Sequence, residues 1–129
     1  MKNLGIIGRI LFALPFAIMG LNHFLMTDMF LGQLTSFTPG GGFTILLIGA
    51  MLIIASISII LNKYVKIACF WLAGLLFLFI VTIHIPQMFS GAWQLPFIEL
   101  LKDTALMGSA IMIALYLDSP KKEEKEAKK

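Results

Sequence analysis

Two histidines and a short charged run are the residues of this 129-residue chain that could exchange protons or hold a polar ligand. His23 and His84 are its two imidazoles, and Glu99, Lys102 and Asp103 follow close behind the second. Histidine titrates near neutrality, so either ring can donate, accept or pass a proton, and a neighbouring carboxylate would fix its tautomer. Glu99 stands four residues before Asp103 and three before Lys102, a spacing that puts all three on one face of a helix. Asn22 adds an amide beside His23. These types suit hydrogen bonding to, or proton exchange with, a carbonyl or hydroxyl of a lipophilic molecule such as a quinone. Two plainer readings stand beside that one. A carboxylate near a helix N-terminus is favoured by the macrodipole alone, and charged groups at a water boundary can pair with one another without any ligand. A metal set of His23, His84 and Asp103 has suitable donor types, but no HxH, HxxxH or HxxE spacing supports it, and no metal is assigned.

The elements that must position these residues are apolar. The chain is 59% hydrophobic and 13% charged, with a mean hydropathy of +0.93, whereas roughly 25% of residues are charged in a soluble domain. From Ile67 to Ile83 there is no charge and no proline; at about 1.5 Å per residue such a helix crosses most of a hydrocarbon layer roughly 30 Å thick. A chain of this length cannot wrap several all-round apolar helices in polar ones of its own, so lipid must supply the shell. The pattern predicts an all-α integral membrane four-helix bundle with transmembrane helices over 4–26, 43–61, 67–85 and 98–117, forming one domain over 1–119. A charged, disordered tail over 120–129 follows.

Within the first span, Pro15 removes a backbone donor and predicts a kink near Leu11 to Pro15. The segment from Thr27 to Gly42 reads as a loop folded over the bundle or lying on the bilayer, because its middle carries Met29, Phe30, Leu31, Leu34 and Phe37. The short turn Asn62 to Lys66 makes the second and third spans antiparallel neighbours. Four antiparallel spans place Lys2, Arg9, Lys63, Lys66 and the tail lysines on one side and leave Lys102 on the other, so both termini are expected in the cytoplasm. Arg9 is expected to anchor the chain by reaching cytoplasmic lipid phosphates. The tail alternates Lys with Glu and carries no nucleic-acid footprint. Cys69, the lone cysteine, excludes an internal disulfide and a CxxC redox pair and reads as a small apolar residue. The apolar N-terminal run has no small-x-small cleavage site and is read as a retained span.

Three segments, GRILFALPFAIMGLNHFL (8–25), TIHIP (82–86) and KDTALMGSAIMIA (102–114), together resemble the DoxX family of small bacterial four-helix membrane proteins, which includes DoxD-like subunits. The resemblance implies a four-span bundle in the bacterial inner (plasma) membrane, working beside membrane redox enzymes, in some members as a subunit of a thiosulfate:quinone oxidoreductase. Asp103 departs from the asparagine expected there in many relatives. The expectation is therefore an accessory or small subunit of a quinone-linked oxidoreductase, with quinone as the conceivable cofactor. His23, His84, Asp103, Glu99, Lys102 and Asn22 would form an extracytoplasmic rim for a ligand or partner, and whether the chain is itself catalytic is left open. The alternative is a non-catalytic membrane module whose small-residue helix faces bind another membrane protein. Besides the lipid bilayer, the partners in view are a redox-enzyme subunit, in the first reading, and a second copy of the chain as a homo-oligomer.

Overall fold

In a medium without water, a long apolar run can satisfy its backbone N–H and C=O groups internally only as a helix, and the long apolar runs of this chain are helical. The computed structural model describes residues 1–34, 39–116 and 126–129, and among them every regular element is helical. These elements are α1 (Lys2–Leu25), α2 (Thr27–Leu31), α3 (Gly41–Ile60), α4 (Val65–Phe79), a π-helical turn (Ile80–His84), α5 (Ile85–Met88) and α6 (Gln94–Tyr116). Three helical stretches, Asn3–Leu25, Gly41–Ile60 and Val65–Met88, are long and apolar enough to cross a membrane. The long α6 falls outside that set because Glu99, Lys102 and Asp103 crowd its opening turns. Large apolar side chains such as Phe43, Ile54, Ile67, Phe77 and Leu78 are more than half exposed. Apolar surface on that scale is what helices long enough to cross a membrane present to lipid.

The long helices associate as two tight pairs. As the numbering rises along α1 it falls along α3: Ser56 Oγ donates to the Ala13 carbonyl at 2.7 Å, and Gly20 lies against Gly49. A Cβ on Gly20 would stand 2.7 Å from the Gly49 carbonyl oxygen, so the two backbones touch where neither residue has a side chain. The second pair is α4 with α6, and α3 packs on α4 to join the two. Their common core includes Phe16, Leu52, Cys69, Leu72, Ala110 and Ala114. No Cα of α1 comes within 8 Å of one in α6. The row α1, α3, α4, α6 therefore leaves a seam between its first and last members.

Several boundaries differ from the sequence expectation. The turn after α3 is shorter than Asn62 to Lys66, because α4 already begins at Val65. Its Asn62 and Tyr64 adopt positive φ values of 57° and 55°, a conformation asparagine tolerates and tyrosine does not favour. α1 runs as one helix through Pro15, the position at which the sequence predicts a kink. The first loop contains the short helix α2, which folds back against α1 and α3. The third rod does not end before Pro86. It continues through the π turn to Met88, with the Ile85 N–H reaching back to the Ile80 carbonyl. Proline at 86 cannot donate and its ring crowds the carbonyl four residues earlier; a wider turn just before it relieves that conflict. The expectation of disorder over 120–129 falls largely on residues outside the described set. Within 126–129, the Lys129 N–H closes a turn on Glu126 at 3.3 Å.

Candidate functional site

The π turn places His84 at the end of α4, opposite the first turns of α6. There its Nε2–H donates to Asp103 Oδ2 at 2.8 Å, in a pair whose side chains are only 12% and 9% exposed. The His84 Nδ1 is buried with no hydrogen-bond partner. Leaving a buried nitrogen unpaired costs about 1–3 kcal/mol, and the whole arrangement depends on one extra residue in the turn from Ile80 to His84.

His23 comes from the end of α1, a separate rod. It is 6% exposed, its Nδ1–H donates to the Met19 carbonyl at 2.7 Å, and its ring stacks on Phe30 of α2 with centroids 4.0 Å apart and planes 15° apart. That bond fixes the tautomer: Nε2 carries the lone pair and is held as an acceptor. No described residue bonds it. Thr27 Oγ1 donates to the His23 carbonyl at 2.9 Å and turns the chain into α2, which brings Phe30 back over the ring.

Glu99 and Lys102 form an ion pair one turn apart on α6, each close to half exposed. A pair that wet contributes little to stability. Its effect is local, because it sets a cation and a carboxylate beside the buried His84–Asp103 pair.

Between these groups lies a cavity of about 230 Å³. Its body is apolar, formed by Phe16, Leu52, Leu76, Phe79 and Leu106, and its rim carries His23, His84, Glu99, Lys102 and Asp103. Phe30 and Gln33 close it from the first loop. Gln87 Nε2 donates to the Gln33 carbonyl at 3.1 Å, tying that loop to α5. The cavity sits in the α1–α6 seam, with walls from both helices.

Five of the six rim candidates read from the sequence thus meet in one place. Asn22 does not line the cavity; its carbonyl accepts the Met26 N–H at 2.8 Å and ends α1. The metal set considered from sequence is not the one that assembles. His84, Glu99 and Asp103 each present one donor atom, all within 4.8 Å of one another, whereas His23 turns one nitrogen to its own helix. Imidazole with two carboxylates could hold a divalent ion such as Zn²⁺ or Mn²⁺. Both carboxylates are already matched, Glu99 by Lys102 and Asp103 by His84. Phe16, Phe30 and Gln33 are site residues that the sequence did not single out. Phe30 alone left a signal, as one of several large apolar residues in a loop.

Comparison with protein-family models, curated proteins and solved structures gave no match.

Proposed function

We propose that this chain is a small multi-pass membrane protein that binds a lipophilic hydroxyl- or carbonyl-bearing ligand of quinone type and serves as an accessory subunit of a quinone-linked oxidoreductase. One observation carries the reading: an apolar cavity whose polar end gathers the His23 ring, with its Nδ1 already bonded to Met19, the His84–Asp103 pair and Lys102 from three separate rods. A ring hydroxyl would donate to His23 Nε2, and a carbonyl would accept from Lys102. The two redox forms of one ligand thus meet different partners in one pocket. Electrons would belong to the partner enzyme, since the chain has a single cysteine and no CxxC pair.

In this reading α6 is the fourth span. Its charged turns face the cavity and the outer rim, which is how a membrane helix tolerates them. Both termini then lie in the cytoplasm of a bacterial inner membrane, on the side rich in lysine. The resemblance to the DoxX family points the same way.

The test uses the chain in lipid nanodiscs with a short-tailed benzoquinone and its quinol as probes, binding being followed by calorimetry. His23→Ala should weaken the quinol about three- to tenfold, the worth of one hydrogen bond. Wild-type affinity in His23→Ala and in Asp103→Asn, with helicity and insertion unchanged, would refute the site. Mild-detergent purification should recover a redox enzyme with the chain; recovery of the chain alone would refute the subunit assignment.

A further inference from the structure

A second groove lies along the α1–α6 seam, at the end away from the histidines. It holds about 690 Å³, and among the described residues Arg9 is its single charged lining residue. The Arg9 Nε is buried without a hydrogen-bond partner among the described residues, and none of the described residues that line the groove is a carboxylate. Those walls are Ile6, Met112 and Ile113, with Asn62 and Tyr116 at the mouth. Gly5 and Gly8 leave bare backbone along one side, where an added Cβ would meet nothing within 4 Å.

We propose that this groove binds an anionic phospholipid, with its phosphate on Arg9 and the upper part of an acyl chain laid along Gly5 and Gly8. A half-buried cation whose Nε is buried and unpaired, and which meets no carboxylate among the described residues, is open to an anion from outside, and a guanidinium pairs with phosphate through two parallel N–H···O bonds. The apolar walls favour a ligand that carries a hydrocarbon chain over a free ion. Asn62 offers an amide and Tyr116 a phenol at headgroup depth, where such side chains collect. This site is independent of the histidine cavity, which lies about 20 Å away along α1 at about 1.5 Å per residue.

The test is native mass spectrometry of the full chain released from nanodiscs of phosphatidylcholine and phosphatidylglycerol in equal parts. Wild-type protein should retain phosphatidylglycerol over phosphatidylcholine by about tenfold, the scale of one charge-assisted contact. Arg9→Gln should abolish the preference, and Arg9→Lys should keep part of it. Gly8→Leu fills the groove while leaving the charge, so it should lose bound lipid of both kinds. Its circular dichroism should match wild type, because the added carbon has open space. Equal retention of the two lipids by wild type and Arg9→Gln would overturn the proposal. So would displacement of the lipid by millimolar inorganic phosphate, or a dimer that persists when lipid is stripped and is lost in Gly8→Leu.

Discussion

Replacing Gly49 by alanine tests the contact on which the position of His23 depends. A Cβ at Gly49 would stand 2.7 Å from His23 Cβ, 2.9 Å from the Gly20 carbonyl oxygen and 3.1 Å from Phe24 Cε2. Two of these neighbours are fixed to the α1 backbone and cannot swing aside. To restore an ordinary separation of at least 3.4 Å, α1 must retreat from α3 by about 0.7 Å. Overpacking of this kind costs about 1–3 kcal/mol, offset by about 0.5–1 kcal/mol for alanine's better helix propensity. Gly74→Ala provides the reference, because its Cβ meets nothing within 4 Å and the change carries the propensity gain alone. The difference between the two variants is then the packing cost, about 1–3 kcal/mol. Reversible unfolding in mixed micelles with increasing dodecyl sulfate, followed by far-ultraviolet circular dichroism, measures both. Quinol affinity should also fall in Gly49→Ala, since the helix that moves carries His23. Equal stability of the two variants, within about 0.5 kcal/mol, would refute the close backbone contact and the geometry built on it.

Nitrogen NMR of ring-labelled histidine should show His23 as the Nδ1–H tautomer and His84 as the Nε2–H tautomer; the opposite assignment at His23 would remove the acceptor from the cavity. Ser56→Ala deletes the bond to the Ala13 carbonyl and should destabilise the α1–α3 pair by about 0.5–1.5 kcal/mol in the same unfolding assay. Asp103→Leu leaves the His84 N–H unpaired beside an orphaned Nδ1 and should cost about 1–3 kcal/mol, whereas Asp103→Asn keeps an acceptor and should cost less. Cys69, with no exposed surface, should resist a membrane-permeant maleimide until the bundle unfolds; rapid labelling of folded protein would contradict the packing of α4.

Local order was legible because it follows from local chemistry. Apolar runs free of interior charge specify helices whatever their neighbours, and the single turn after Leu61 specifies an antiparallel pair. The spacing of Glu99, Lys102 and Asp103 on one helix face, and their approach to His84, could be read from chain order and span length. The sequence offered no sign of the π turn. An extra residue in one turn is set by the strain at Pro86 and by the pairing of His84 with a residue nineteen positions on, neither of which alters the hydrophobic pattern. Phe30 over His23 was likewise hidden, because a loop's apolar residues do not say which surface they will cover.

By itself, then, the sequence determined that the chain is helical, that it carries helices long and apolar enough to cross a membrane, and that its titratable groups gather near helix ends, since each of these depends on composition and short-range spacing. Which imidazole nitrogen is bound by protein, which carboxylate pairs with His84, and that α1 and α6 stand apart with a groove at each end were decided only by tertiary structure. Those features arise from the close approach of Gly20 to Gly49 and from one widened turn. Both are contacts between distant parts of the chain, and side-chain packing sets them to within a fraction of an ångström.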